Sequence, residues 1–364
     1  MTLRSICVLL VLSGSMVSVC AHAQNPDPTD IRACTAVESD AARLLCYDHA
    51  TGRVNLPAAQ KHTVQSVAPP DVFSAGAGTS SAAATEPNAD VAKPLSLLDS
   101  RWELGRESRL GTLNLRGYRP IYVMPVFVTS KQNTRPFSPN PDNAATSSEQ
   151  LDNAELKFQL SMKAKVWQGV FGDVGDLWVG YTQSSRWQVF NKQASRPFRE
   201  TNYEPEAMLV FNTNYHVLGW DGRLLGISID HQSNGRSNPL SRSWNRVIAN
   251  IGFERDDWVV MVRPWWRIPE PRSDDNNPDI LDYIGRGEVQ IVHERHGQEL
   301  GLLLRHSMRG GARSHGSARF TWSFPLAGNV RGYAEVFKGY GESLIDYNHH
   351  ATYAGVGISF LDWY

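Results

Sequence analysis

Long hydrophobic runs are almost absent from this chain of 364 residues. The one sizeable apolar stretch, residues 6–19, is shorter than the roughly 20 residues that a transmembrane helix needs. Ala21-His22-Ala23 follows it directly, an order typical of a secretory signal peptide. Lipoprotein cleavage at Cys20 is the less favoured alternative, because the bulky Val19 precedes it. We therefore expect residues 1–23 to be a signal peptide and the mature protein to leave the cytoplasm.

An excess of charge of one sign is also missing. The 36 Lys and Arg residues balance 37 Asp and Glu residues, and the formal net charge is -1. No block of like charges suggests binding to a phosphate backbone. We expect no nucleic-acid partner.

Cysteine is scarce as well, with 4 residues in the chain. The first two fall in the expected signal peptide, which leaves Cys34 and Cys46 as an even pair in an oxidising compartment. The residues between them are helix-like. We expect residues 24–56 to form a small Cys-linked helical segment closed by a disulfide, with two free thiols as the alternative.

Composition then changes twice along the chain. Residues 57–95 are rich in Ala, Ser, Pro and Thr, and such a stretch buries too little apolar surface to order itself, so we expect a disordered linker. From residue 96, Trp, Tyr, Gly and β-branched residues dominate. The segment 96–364 is therefore the expected folded domain.

This domain contains about twelve strand-like segments of the length that membrane barrels use. On the last of them Ala354, Val356, Ile358 and Phe360 share one face, and a terminal aromatic follows, as is typical of bacterial outer-membrane barrels. We expect an all-β fold, a transmembrane antiparallel β-barrel with a short helical or disordered N-terminal extension. A soluble periplasmic β-sandwich stays open. The segments run near 120–128, 154–167, 176–189, 204–217, 223–233, 243–255, 257–268, 284–295, 298–308, 317–325, 330–340 and 351–364.

The segment 223–233 combines an apolar face with two reactive residues. Side chains on a strand alternate between its faces, and the lumen of a membrane barrel is polar whereas its outer face meets lipid. A histidine and a serine therefore look outward at lipid. The residues on that face are Leu225, Ile227, Ile229, His231 and Ser233, and the mostly polar opposite face has Leu224, Gly226, Ser228, Asp230 and Gln232.

Two further polar residues fall on apolar faces of nearby strands. Asn245 shares a face with Val247 and Ala249, and Gln183 follows Val179 and Tyr181. Polar groups that face lipid are costly unless they have partners or a role. Because all four polar side chains lie on apolar strand faces, we expect them to belong to one functional site.

The set has the chemistry of nucleophilic catalysis. A serine nucleophile needs a base within hydrogen-bond reach, and the base needs an orienting acceptor. Ser233 is the candidate nucleophile, His231 the base and Asn245 the acceptor, while Gln183 could orient the Asn245 amide. Against this, His-x-Ser occurs by chance in many chains, and Ser-Asn-Gly is an ordinary turn signal.

At this point the chain resembles the bacterial outer-membrane phospholipase A family, over roughly residues 100–364. The resemblance rests on long runs of sequence. They are Tyr181-Thr182-Gln183, residues 197–205 (PFRETNYEP), residues 233–237 (SNGRS), residues 241–246 (SRSWNR), residues 277–280 (NPDI) and residues 339–348 (GYGESLIDYN).

The resemblance implies a twelve-stranded barrel with a His231-Ser233-Asn245 triad on its outer surface, supported by Gln183. It further implies Ca²⁺ dependence and an active homodimer in the outer membrane. Its calcium ligands are hard oxygens, which suit this ion. By motif match these are the Ser241 hydroxyl and the Arg236 carbonyl of one subunit and Ser195 of the other, with Asp275 or, in another register, Asn276 nearby. Gln232 and Asn238 depart from the acidic residues that relatives often have, and the loop 269–277 looks longer than usual.

The expected reaction is hydrolysis of sn-1 and sn-2 acyl esters of glycerophospholipids and lysophospholipids, a breadth that the resemblance implies. The backbone N–H of Ser233 and a calcium-polarised water would meet the oxyanion, with Gly235 allowing the backbone to approach. A non-enzymatic barrel, either a channel or a structural protein, is the main alternative. A soluble periplasmic β-sandwich hydrolase is the second.

Overall fold

The computed structural model describes residues 31–37, 39–51 and 95–363. The expected signal peptide and all but the end of the expected linker lie outside these ranges. In the first part of the chain a 3₁₀ helix, Ile31–Ala36, precedes helix α1, Asp40–Ala50. A disulfide joins Cys34 to Cys46, 12 residues apart. The disulfide expected from the sequence is therefore present, and Cys46 lies within α1.

The folded domain begins with helix α2, Leu97–Trp102, and contains one further short helix, α3, Ile280–Tyr283. Its strands are β1 Leu115–Gly117, β2 Ile121–Thr129, β3 Ala154–Trp167, β4 Asp176–Trp187, β5 Phe198–Val217, β6 Trp220–Ser233, β7 Ser243–Arg255, β8 Trp258–Ile268, β9 Gly287–Arg295, β10 Gln298–His306, β11 Gly316–Ala327, β12 Val330–Tyr340 and β13 His350–Leu361. No helix within the described ranges is long and apolar enough to cross a membrane.

Strands β2 to β13 form a closed antiparallel barrel. Each strand pairs with the next along the chain, and β13 pairs with β2, so that the sheet has no free edge. The short strand β1 pairs with β3 beyond the end of β2 and is an extra element. The all-β fold and the twelve barrel strands predicted from the sequence are confirmed, and the soluble sandwich is excluded by closure.

Several strand ends differ from the sequence prediction by up to three residues, and the start of β5 differs by six. β5 begins at Phe198 rather than near 204, because Phe198 still pairs with Trp187 of β4. β9 begins at Gly287 rather than near 284, because helix α3 and a turn occupy the preceding residues.

The barrel has the polarity of a membrane barrel. Along β6 the residues at even positions from 222 to 230 are buried in the lumen. The outward side chains Leu225, Ile227 and Ile229 are 46%, 50% and 62% exposed. This alternation places an apolar surface outside and a polar interior inside.

Ion pairs fill the interior. Lys157 Nζ lies 2.6 Å from Glu335, Arg263 Nη2 lies 2.7 Å from Glu206, and Arg246 pairs with Asp230. A polar cavity of about 60 Å³, the volume of a few water molecules, is lined by Lys157 and Arg246 together with other polar side chains. Because these ion pairs fill the lumen and leave little open space, the structure gives little support to the channel alternative.

The described loops differ in length between the two ends of the barrel. Two-residue turns join β5 to β6 and β7 to β8, whereas the connections after β2, β8 and β12 are longer. Long loops are typical of the extracellular end of such barrels. At the short-turn end, Leu98 and Trp102 of α2 pack inside against Tyr118 and Trp178.

Candidate active site

The register of β6 and β7 brings together two of the residues selected from the sequence. His231 and Asn245 are direct partners across this antiparallel pair, and Ser233 pairs with Ser243 two positions further on. His231 is exposed, and Ser233 and Asn245 are half-buried. All three lie near the long-loop end of their strands and on the outward face, as the alternation predicted.

A hydrogen bond joins the first two side chains. Nδ1 of His231 lies 2.8 Å from Oδ1 of Asn245. An amide oxygen can only accept, so the imidazole carries its proton on Nδ1 in this arrangement. The other ring nitrogen, Nε2, is then the free base of the neutral ring.

The amide nitrogen of Asn245 has a partner that the sequence reasoning missed. It donates to Oε1 of Glu270 at 2.8 Å. Asn245 pairs with Ile268 of β8, and Glu270 follows Ile268 by two residues, on the face that Trp266 and Ile268 share. Continuing the alternation past the end of β8 is the signal that could have identified Glu270.

Gln183 does not occupy the position that we expected for it. Its Oε1 accepts a hydrogen bond from the Tyr181 hydroxyl at 3.1 Å. In the strand register, Gln183 on β4 pairs with Tyr203 on β5, and Tyr203 pairs with Ser233 on β6. Ser233 in turn pairs with Ser243 on β7, so three strand spacings separate Gln183 from β7. At about 4.8 Å per strand this is roughly 14 Å, beyond the reach of a glutamine side chain. The partner of the Asn245 amide is Glu270, and the predicted contact with Gln183 is corrected accordingly.

The loop after Ser233 is held by the buried side chain of Asn234. Its Oδ1 accepts from the backbone N–H groups of Arg236 and Arg242, and its Nδ2 donates to the carbonyl of Leu240 at 2.8 Å. These bonds close the connection between β6 and β7 at its base. The position of Ser233 is thereby fixed from both sides, by the sheet and by this loop.

Gly235 has a conformation that suits glycine. Its φ is +62°, in the left-handed region, and a Cβ built there would lie 3.1 Å from the Tyr203 ring. Another residue at this position would strain the backbone and crowd Tyr203. The close approach of backbone next to Ser233 therefore depends on glycine.

The loop that contains Glu270 is tied to β7. Oδ1 of Asn277 accepts from the backbone N–H of Ser243 at 3.1 Å, and Nδ2 of Asn276 donates to the Ser243 hydroxyl at 3.2 Å. Asp279, further along, accepts from the Tyr347 hydroxyl at 2.6 Å. Burial raises the pKa of Asp279 above its ordinary value, although the hydrogen bond from Tyr347 works in the opposite direction. The anchoring of this loop keeps Glu270 beside Asn245.

The residues selected as calcium ligands lie on two different connections. Arg236 and Ser241 belong to the β6–β7 loop, and both are half-buried. The backbone carbonyl of Ser241 accepts from Asn143 at 3.1 Å and from the Arg242 guanidinium at 2.7 Å. Ser195 belongs to the β4–β5 loop, where it is exposed and has a φ of +59°.

Within the described ranges there is no group of three His, Cys, Asp or Glu residues arranged to hold a metal. A calcium site here would therefore depend on hydroxyl and carbonyl oxygens, and these are suitable hard ligands. Asp275 is engaged elsewhere: its Oδ1 lies 2.6 Å from the Arg267 guanidinium and also accepts from the backbone N–H of Asn277. Asn276 uses its amide on Ser243. The Ser241 hydroxyl and the Arg236 carbonyl are oxygen donors of a kind that calcium accepts.

Comparisons with known proteins agree with this picture. The model of the phospholipase A1 family matches residues 98–360. A phospholipase A1 homologue from Neisseria meningitidis serogroup B is 35% identical over 352 residues, covering 90% of each chain. The phospholipase A1 of Escherichia coli strain K12 is 41% identical over 208 residues, which are 57% of this chain and 70% of that protein.

Solved structures show the same fold. Outer membrane phospholipase A from Escherichia coli superimposes with a TM-score of 0.62 at 37% identity, covering 69% of this chain and 100% of that chain. The Salmonella typhi outer membrane phospholipase, solved as a dimer with bound calcium, gives a TM-score of 0.62 at 37% identity and covers 69% of this chain and 94% of that chain.

Proposed function

Because the chain belongs to the phospholipase A1 family, an ester hydrolase family, we propose that it hydrolyses sn-1 and sn-2 acyl esters of glycerophospholipids and lysophospholipids. The reaction takes place on the outer surface of the barrel, in the outer membrane. Ser233 is the nucleophile, His231 the general base and Asn245 the residue that orients the imidazole. The substrate reaches Ser233 from the lipid phase along the apolar faces of β6 and β7.

The first step is attack of the Ser233 hydroxyl on the acyl carbonyl. Nε2 of His231 accepts the hydroxyl proton and later donates it to the leaving glycerol oxygen. The Nδ1–H of the same ring donates to Asn245, which keeps the tautomer and the ring plane fixed. Water then attacks the acyl-enzyme ester; His231 takes a proton from the water and returns it to the Ser233 oxygen as the acyl–oxygen bond breaks and the fatty acid is released.

Negative charge develops on the carbonyl oxygen during each attack. We assign its stabilisation on this chain to the backbone N–H of Ser233 and to the turn at Gly235, whose left-handed conformation brings the backbone close to Ser233. A calcium ion held by the Ser241 hydroxyl and the Arg236 carbonyl would supply further electrostatic stabilisation of negative charge.

The calcium site in this proposal is shared between two subunits. Ser241 and the Arg236 carbonyl come from one subunit, and Ser195 comes from a second copy of the chain. Two neutral oxygens bind calcium weakly, so each subunit alone has an incomplete site. Support comes from the Salmonella typhi relative, whose structure is a calcium-bound dimer.

For the rest of the chain we propose removal of residues 1–23 on export and a linker role for residues 57–95, of which all but the last lie outside the described ranges. The small Cys-linked segment 24–56 then precedes the linker, and residues 96–364 form the phospholipase domain.

The observation that carries the proposal is the His231–Asn245 hydrogen bond on a lipid-facing apolar surface. A polar pair in that position is costly without a role. The test is an assay of phospholipid hydrolysis by the full mature chain refolded in detergent, with calcium and with a chelator. Calcium-dependent release of fatty acid is the expected result. A folded barrel that releases none in either condition would contradict the proposal.

A further inference from the structure

A carboxylate lies behind the neutral amide of the candidate triad. Oε1 of Glu270 accepts from Nδ2 of Asn245 at 2.8 Å, and Oδ1 of Asn245 lies 2.8 Å from Nδ1 of His231. The three side chains thus form a continuous line of hydrogen bonds. The side chain of Glu270 is 17% exposed, so it is partly shielded from water.

This arrangement compensates for two disadvantages of having asparagine as the third residue of the triad. When the base takes a proton it becomes an imidazolium, and a neutral amide stabilises that charge less than a carboxylate does. An asparagine amide can also rotate by 180°, which would present Nδ2 instead of Oδ1 to the ring. Both problems are solved by an anion that accepts from Nδ2.

We propose that Glu270 is a positioning residue of the catalytic site. Its carboxylate fixes the orientation of the Asn245 amide and supplies, through that amide, the negative charge that stabilises the protonated His231. The inference rests on the proposed function, because it assumes that His231 is the base.

Other charged groups near Glu270 and His231 determine how strongly the Glu270 carboxylate acts on the ring. On the β8 side, Nη2 of Arg267 lies 3.5 Å from Glu270 Oε2 and 2.6 Å from Asp275, so most of its interaction goes to Asp275. On the β5 side, Tyr203 is the titratable neighbour and pairs with Ser233. Glu204 and Asp230 are turned into the lumen, where both are paired with Arg246. Glu270 is therefore the anion aligned with the His231 ring through Asn245.

Two substitutions separate charge from geometry. Glu270→Gln keeps a side-chain oxygen that can accept from Asn245 but removes the charge, whereas Glu270→Ala removes both. Asp274→Asn is the matched control, because Asp274 is an exposed residue of the same loop and loses the same charge. All variants are made in the full mature chain and checked for heat-modifiable migration on gels, the signature of a folded barrel.

The expected loss of kcat in Glu270→Gln is about threefold to fivefold, the size of a partly screened charge interaction. In Glu270→Ala it is about tenfold, because a hydrogen bond to a charged group is lost as well. Removal of the negative charge disfavours the positively charged form of the ring, so the acidic limb of the pH–rate profile moves to lower pH. KM and the Asp274→Asn profile stay unchanged.

A double-mutant cycle tests whether Glu270 acts through Asn245. In an Asn245→Ala background, Glu270→Gln should cause no further loss, since the link between carboxylate and ring is already cut. An equal loss in both backgrounds, or an unshifted acidic limb in folded Glu270→Gln, would overturn the inference. Ser233→Ala, assayed in parallel, tests the proposed function itself. Loss of hydrolysis in this folded variant supports the triad, whatever result the Glu270 variants give.

Discussion

Asn245 lies directly opposite His231 in the register of β6 and β7, with 2.8 Å between Oδ1 of the amide and Nδ1 of the ring. Two rigid, paired strands therefore hold the base and its orienting residue, and no loop has to close to bring them together. A site of this kind is preorganised on the sheet itself.

The first prediction concerns the triad. Ser233→Ala and His231→Ala should each lower acyl hydrolysis by about 10³-fold or more, because each removes a group that takes part in bond making or proton transfer. Asn245→Ala should retain measurable activity, with a loss of roughly 10²-fold, because it orients the base and does not touch the ester. The measurement is fatty-acid release from phospholipid micelles.

Gln183→Ala is the matched comparison for Asn245→Ala. Its side chain contacts Tyr181 and lies three strands from Asn245, so its loss of activity should be clearly smaller. A loss as large as that of Asn245→Ala would show that Gln183 supports the amide after all. Wild-type turnover in folded Ser233→Ala would remove Ser233 as the nucleophile.

The second prediction links calcium to dimerisation. If Ser195 of a second subunit completes the site made by Ser241 and Arg236, calcium binding and dimerisation strengthen each other by the same free energy. Calcium together with an acylating inhibitor should shift the protein from monomer to dimer in analytical ultracentrifugation. Chelation should reverse the shift and abolish hydrolysis.

Single substitutions test the proposed ligands. Ser195→Ala and Ser241→Ala should each weaken the apparent calcium affinity in a titration of activity, whereas Ser314→Ala, in a different loop, should leave it unchanged. Full activity in a monomer verified by cross-linking would rule out the shared site and leave the triad intact.

The third prediction concerns the boundary of the barrel domain. Deletion of residues 24–95 should preserve folding and hydrolysis, because helix α2 is then still intact: its N-cap, Ser96, accepts from the backbone of Asp99 at 3.2 Å. Leu98→Ala should instead destabilise the barrel by about 2 kcal/mol or more, since Leu98 is completely buried in the lumen. Urea unfolding followed by Trp fluorescence measures both. A truncated chain that cannot fold would show that the preceding segment belongs to the barrel.

The fourth prediction is a pH dependence of stability. Burial works to raise the pKa of Asp346, but the Arg199 guanidinium at 2.8 Å and the Ser343 hydroxyl at 2.6 Å outweigh it and hold the pKa below its ordinary 3.8. A depressed carboxyl pKa contributes stability above pH 3.8, which is lost as the pH falls through the folded-state value.

The thermal unfolding midpoint should therefore fall as the pH is lowered below this point. Asp346→Asn should be less stable at neutral pH and should have a flatter profile in the acid range. Identical profiles for the wild type and Asp346→Asn would mean that the pair with Arg199 contributes nothing measurable.

Much of this protein is determined by local sequence. Alternation with a period of two residues identifies the strands and also which face of each strand meets lipid, because a strand must present successive side chains to opposite sides. The same rule placed His231, Ser233 and Asn245 on one surface before any pairing was known. Strand ends depend less on local sequence. β5 extends back to Phe198 because this residue pairs with Trp187 of the neighbouring strand β4, and the alternation within β5 alone does not predict that pairing.

Only the tertiary structure decided which of those outward residues touch. The register of the strands set Asn245 opposite His231 and moved Gln183 three strands away. It also brought Glu270, which lies in a loop two residues beyond the end of β8, to the amide of Asn245. Alternation along one strand specifies a face, whereas contact between side chains on different strands depends on register and on the path of each loop, and both are set by the closure of the whole barrel.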